Sequence, residues 1–188
     1  MSDVASAIMN AAERRMRRGG FNGFSFREIA ADVGVKSSSV HYHFPTKDDL
    51  AAAVIKRYTA ETAELIEREL GKESDPVKVW VQAFRGTLHS QDRMCPCAVL
   101  GASSQDLPPQ AAAEVNRFFK MCHDKLVEEG LPPDEASQLL STITGALVVA
   151  NAVNDFSVYD RATKEFSRSG KRVPSKSTSF KAAARQSK

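Results

Sequence analysis

Three cysteines and four histidines carry most of the reactive side-chain chemistry in this 188-residue chain. Cys95 and Cys97 flank Pro96. Proline suits the first position of a helix, which would set Cys95 at the N-cap and Cys97 in the first turn. The positive end of a helix lowers a thiol pKa and favours the thiolate, and Arg93 would add to the effect. Such thiols could sense electrophiles or oxidants; equally, they could be two small residues packed at a helix end. A metal site of both cysteines with His89 or Cys122 is also open, although the spacing is not diagnostic. Catalysis would need a nucleophile–base pair. Cys97 with His89 and Cys122 with His123 are the candidates, and no recognisable motif supports either. We therefore expect no enzyme, no metal and no cofactor. An odd cysteine count without a secretory pattern argues against a disulfide framework.

A second cluster lies in VKSSSVHYHF, residues 35–44, where His41 and His43 flank Tyr42. On a helix, residues two apart diverge by about 200°, so these histidines cannot easily share one metal ion. Their role depends on the elements that carry them.

Those elements read as helices, with no alternating run long enough for a strand. Val4, Ala5, Ile8, Met9, Ala12 and Met16 form one face of a first helix, with four arginines near its end, and Gly19-Gly20 stops it. Phe21, Phe24 and Phe26 are core aromatics under a short loop. Ser25 to Glu28 is a capping box opening a short helix that buries Ile29, Ala30 and Val33 and ends at Gly34. A third helix covers about 37–43, with Val40 and Phe44 facing inward. Thr46 caps a long fourth helix, with Asp48 and Asp49 in its first turn; Leu50, Val54, Tyr58, Leu65 and Leu70 recur along it. Further helices span about 77–90, from Pro108-Pro109 to Gly130, and from Pro132-Pro133 onward. Residues 139–153 are almost continuously apolar, as in a helix that is buried or in an interface. A last helix runs from Asp155 to about Phe166.

Charge is uneven along the chain. Residues 1–58 carry 9 Lys/Arg against 6 Asp/Glu, and the stretch from Phe166 carries 7 basic residues and no acid, which leaves the middle at a net −7. Basic ends around an acidic body point to an anionic partner, nucleic acid foremost. No apolar run approaches the roughly 20 residues of a membrane span, and the N-terminal basic residues follow the apolar ones, the reverse of a secretory signal. The expectation is a cytoplasmic protein with no membrane partner.

A helix, a glycine turn and a second short helix about three residues on form a helix-turn-helix. The second helix would enter the major groove, its N-terminal residues at the base edges. FSFREIAADVGVKSSSVHYHFPTKDDLAAAV, residues 24–54, resembles the TetR family of transcriptional regulators. It shares a Ser/Thr-capped helix, an IA pair, a GV turn, a short recognition helix ending in an aromatic, and a K/DxL entry to helix four. The resemblance covers roughly 50 residues closely; the rest agrees in length and helical character.

The resemblance implies an all-α chain. A three-helix DNA-binding domain (1–46) would precede a helical ligand-binding and dimerisation domain (47–166); the Ser/Lys/Arg-rich composition of 167–188 reads separately as a basic, disordered tail. The resemblance implies base-facing roles for Lys36, Ser37, Ser39 and His41, and phosphate contacts for Tyr42 and Lys47. Ser25, Ser38, His43 and Thr46 are further backbone-side candidates. Many family members have Ser or Thr where this chain has Lys36. Lysine cannot cap, so Ser37 would cap the recognition helix instead, or Lys36 would reach a phosphate or a guanine edge. The apolar helix and the segment after it match the family's dimer interface; they could equally be core. The implied partners are double-stranded operator DNA, a second copy of the chain and a small-molecule effector. Trp80, Phe84, Leu88, Phe118, Met121 and Cys122 are candidate pocket residues, though helical spacing makes them core by default. MCPCAVLGASSQDLPP resembles a cysteine-bearing stretch in some TetR-like regulators, so Cys95 and Cys97 are candidate sensor thiols. The function implied is a repressor released from a palindromic operator by its effector, with a thiol-based sensor as the alternative.

Overall fold

A computed structural model describes residues 3–89 and 94–168. Among them are nine α-helices and no strand. α1 (Asp3–Gly19) buries Ala5, Ile8, Met9, Ala11, Ala12 and Met16, whereas Val4, expected on that face, is exposed. A single 3₁₀ turn, Phe21–Gly23, leads to α2 (Phe26–Val33). Ser25 caps α2: its hydroxyl accepts the Glu28 N–H (3.3 Å) and donates to the Glu28 carboxylate (2.8 Å). Gly34 closes the helix at φ 76°, a left-handed conformation that costs glycine little.

α3 (Ser37–His43) follows, and Lys36 occupies its cap position without a side-chain cap. Ser37 is therefore the first helical residue and not the expected cap. Burial holds this short helix instead: Val40 is fully buried and Phe44 nearly so. Burying a valine side chain contributes about 1.5–2 kcal/mol, which a helix too short to stand alone needs. α1, α2 and α3 pack on one another.

α4 (Lys47–Leu70) opens on a complete capping box between Thr46 and Asp49. It runs from the three-helix unit into the rest of the molecule, packing on α1 near one end and along α7 (Pro109–Glu128). Ile55 and Ile66 are its buried anchors, while Leu65 and Leu70, expected there, are half-buried. α5 (Pro76–His89) starts where the Asp75 carboxylate accepts the N–H groups of Val77 and Lys78 (3.0 and 3.3 Å). α6 (Pro96–Gly101) packs on both α1 and α7.

α8 (Pro133–Ala152) and α9 (Ser157–Arg168) form a closely packed pair that also rests on α5. The apolar α8 divides into two faces. Leu139, Ile143, Leu147 and Ala150 are buried, while Val148 and Val149 remain 44% and 49% exposed, with Val153 beyond them at 57%. α9 starts two residues later than its sequence suggests, because the Asp155 carboxylate stays outside and accepts the Ser157 N–H and hydroxyl (2.9 and 2.6 Å). The helix runs through Arg168, so the expected tail boundary at 167 moves by two residues; the rest of the tail lies outside the described residues. No helix of the described residues is long and apolar enough to cross a membrane.

Candidate nucleic-acid interface

α3 presents its polar side chains outward. Lys36, Ser37, Ser38, His41 and Tyr42 are exposed and Ser39 and His43 half-buried, all around the Val40 anchor. Tyr42 is 84% exposed, far more than its apolar ring would favour in an isolated fold. Its ring meets His43 edge-on at 5.2 Å. His41 leans on Phe26 of α2 (4.6 Å between centroids), and its Nδ1 lies 3.4 Å from the Pro45 carbonyl. The two histidines thus have different neighbours.

Three of the predicted contact residues already have intramolecular duties. The Ser25 and Thr46 hydroxyls are engaged in caps. Lys47 is not a free surface cation. Its Nζ lies 4.5 Å from the centre of the Phe21 ring and 4.6 Å from that of Phe24, and partial burial lowers its pKa. A cation over aromatic faces is attracted by the ring quadrupoles, so Lys47 ties the start of α4 to the loop before α2.

Arg15 stiffens the same unit. Its Nε and Nη2 donate to both carboxylate oxygens of Asp32 (2.6 and 3.0 Å) and its Nη1 to Glu28 (3.0 Å). The Arg15 hydrogen bond holds the Asp32 carboxyl below its ordinary range. Arg14 and Arg18 line a polar cleft of about 480 Å³ beside this pair.

Sequence reasoning missed a second network. Arg17 reads as a helix-end cation, yet it is mostly buried and reaches out of the three-helix unit. It donates to Glu13 (2.6 and 3.0 Å) and to the carbonyl of Met94, and it lies 5.2 Å from the centre of the Tyr58 ring. Arg57 of α4 also donates to Glu13 (2.8 Å). The Glu13–Arg17 spacing was the one available signal; their link to Met94, 77 positions on, was not readable.

Cys95 and Cys97 sit where expected, at the cap and in the first turn of α6, but both are buried (1% and 0% exposed), as is Cys122. Burial pushes the Cys95 thiol up. Hydrogen bonds from the Cys97 thiol, the Tyr58 hydroxyl and the Ala98 and Cys97 backbone outweigh it and bring the pKa down to about 7. Burial and donation to Cys95 hold Cys97 well up as a thiol, and burial does the same for Cys122. Arg93 lies outside the described residues. His89 is engaged by Arg85 Nη1 (2.7 Å) and lies against Phe156. His123 Nε2 lies 3.2 Å from the Pro133 carbonyl. Among the described residues, no hydrogen bond joins His89 to Cys97 or His123 to Cys122.

Of the candidate pocket residues, Trp80, Phe84, Leu88, Phe118 and Cys122 are buried in the core and Met121 is half-buried against it. An open cleft of about 490 Å³ lies elsewhere, between α4 and α5, lined by Leu65, Glu69, Lys78, Val79, Gln82 and Ala83. No sequence signal marks it, since its lining mixes apolar and polar residues from two separate helices.

A three-helix unit with an exposed recognition-type helix, joined by α4 to a helical body, defines a DNA-binding transcriptional regulator by class. Residues 8–54 match the model of the bacterial regulatory proteins of the tetR family. A transcriptional regulator of the TetR family from Agrobacterium tumefaciens superposes with a TM-score of 0.81 at 27% identity, over 88% of this chain and 96% of that one. A TetR transcriptional regulator from Legionella pneumophila gives 0.81 at 25% identity, over 89% and 97%. E. coli NemR in its reduced form shares the fold at 0.76 and 19% identity, over 88% and 96%. No curated protein matches the chain. Residues 8–54 thus carry the match to the tetR family, and the chain as a whole is similar in fold to TetR-family transcriptional regulators.

Proposed function

We propose that the chain is a dimeric repressor that binds a palindromic operator and leaves it when a small effector binds the helical body. The observation that carries the reading is the exposed polar surface of α3, above all Tyr42, on a rigidly anchored helix-turn-helix. Lys36, Ser37, Ser39 and His41 would face base edges. Tyr42 and Lys47 would take phosphates, flanked by Ser25, Ser38, His43 and Thr46. Ser25 and Thr46 would use lone pairs left over from their caps, and Lys47 would have to reach phosphate while holding the aromatic pair. Such a regulator would work in the cytoplasm.

The exposed Val148 and Val149 of α8 support a homodimer through this face, because large apolar side chains on a packed helix gain by being covered. Two-fold pairing would let one short helix read twice. For the effector, Trp80 Nε1 and Thr144 Oγ1, on helices α5 and α8 that pack together, are buried without a hydrogen-bond partner among the described residues. An apolar or small neutral molecule bearing a polar group could satisfy them. A second reading, signalling through thiol chemistry at Cys95 and Cys97, is supported by the lowered Cys95 pKa.

The test is selection of duplexes from random DNA by the full chain, followed by titration. Enrichment of a palindrome bound by two protomers is expected. Selection of no sequence above background, at low salt as well as high, would refute the regulator reading.

A further inference from the structure

His41 is exposed on α3, yet its ring is held at two points. It meets the Phe26 ring at 4.6 Å and 68°, and its Nδ1 lies 3.4 Å from the Pro45 carbonyl oxygen. That carbonyl needs a donor. The α4 ladder begins with the Leu50 N–H on the Thr46 carbonyl, and the Asp49 N–H goes to the Thr46 hydroxyl. Among the described residues, no α4 backbone N–H is bonded to Pro45. A carbonyl oxygen only accepts, so the contact puts the hydrogen on His41 Nδ1. In the neutral imidazole the other nitrogen, Nε2, is then a bare acceptor. His43 has the Tyr42 ring against it, and among the described residues no hydrogen bond sets its tautomer.

We propose that His41 sets one base of each operator half-site by accepting, at Nε2, the exocyclic amino group of an adenine or a cytosine, with the Pro45 carbonyl and the Phe26 ring as the positioning groups that fix its tautomer. This deepens the regulator reading above and rests on it.

A bare acceptor sorts the surfaces of a duplex sharply. In the major groove adenine presents its N6 amino group and cytosine its N4 amino group, both donors. Guanine presents N7 and O6 and thymine presents O4, all acceptors. Nε2 against any of these sets lone pair against lone pair and leaves both groups unpaired, so the ring rejects two bases as well as selecting two. Phosphate oxygens are acceptors too, and the same tautomer turns His41 away from the backbone. Tyr42, on another face of α3, keeps a hydroxyl that can donate to phosphate. Ser37, one turn earlier on the His41 face, carries a hydroxyl that donates or accepts and therefore discriminates less. The contacts to Phe26 and Pro45 also restrict the ring before DNA arrives, so less rotamer freedom is lost on binding.

Ring-nitrogen NMR of the histidine-labelled full chain, without DNA and at about pH 8, above the ordinary histidine range, reads the tautomer, and His41→Gln assigns the signal. His41 should show a protonated Nδ1 and an unprotonated Nε2; the proton on Nε2 would overturn the proposal. Duplex selection by the full chain at the same pH then reads the base. Each half-site should hold one position confined to adenine or cytosine that becomes degenerate in His41→Ala while the other positions keep their preferences. Exchanging that base for its analogue without the amino group, purine for adenine or 2-pyrimidinone for cytosine, should weaken wild-type binding about fivefold per half-site and about twenty-five-fold for both. The same exchange should leave His41→Ala binding unchanged, since the partner is already gone. His41→Arg should move the preference at that position to guanine. A merely structural histidine would weaken all sequences alike. Guanine or thymine at the His41-dependent position, an unchanged preference in His41→Ala, or an equal loss in both proteins on the analogue would each overturn the proposal. Selection of no sequence sinks the regulator reading and this proposal with it; a selected palindrome without a His41-dependent base sinks this proposal alone.

Discussion

Replacing Tyr42 by phenylalanine removes one oxygen from a side chain that is 84% exposed. The ring can keep its contact with His43, so stability should change by less than about 0.5 kcal/mol. If the hydroxyl donates to a phosphate, each protomer loses a charge-assisted hydrogen bond of about 1.5 kcal/mol. A symmetric complex then loses about 3 kcal/mol, roughly a hundredfold in Kd. Tyrosine is neutral, so the slope of log affinity against log salt should not change. Lys47→Ala is the informative contrast. It should reduce that slope by about 1 per protomer. It should also lower stability by about 1 kcal/mol, because its ammonium sits over Phe21 and Phe24 in the free protein. The assay is fluorescence anisotropy on the selected duplex at several salt concentrations, paired with denaturant unfolding. Tyr42→Phe binding within about twofold of wild type, with an unchanged unfolding midpoint, would refute the phosphate assignment. A Lys47→Ala slope equal to wild type would reduce that lysine to a structural role.

Ser25→Ala should cost about 1 kcal/mol in urea unfolding through loss of the α2 cap; lost DNA affinity at full stability would show that the hydroxyl serves the contact instead. Val149→Asp should dissociate the dimer in sedimentation velocity at micromolar concentration, and an unchanged dimer would remove α8 from the interface. The Asp32 carboxyl lies below its unfolded value because of Arg15, so its contribution is present above the ordinary aspartate range and is lost as pH falls through the folded value. Asp32→Asn should therefore lower stability at neutral pH by no more than about 1 kcal/mol, given the exposure of the pair, and flatten the acid side of the profile. An equally steep acid limb in that variant would show that other carboxylates set it.

The helix-turn-helix was legible because its signals are local. Capping residues, the left-handed Gly34 and the four-residue spacing of Val40 and Phe44 each act within a turn or two of chain, so sequence order reports them. The outward face of α3 follows from the inward one. The same locality set Cys95 and Cys97 at the start of α6. What the sequence could not decide was set by residues brought together from distant positions. Tyr58 and Arg17 surround Cys95 only because α1, α4 and α6 converge, and that convergence makes Cys95 the acidic thiol of the pair while burying both. Lys47, read as a phosphate contact, acquires its aromatic seat from the fold of the preceding loop. The apolar run of α8 was ambiguous for a related reason. Hydrophobicity states that a side chain gains by leaving water, but only the packing of α5 and α9 decides which valines have already done so. By itself the sequence determined a helical, DNA-binding TetR-type unit, since helix signals and turn chemistry are short-range. Tertiary structure alone decided thiol acidity, the open cleft between α4 and α5 and the bare face of α8, because dielectric, hydrogen-bond partners and exposure are properties of neighbours in space.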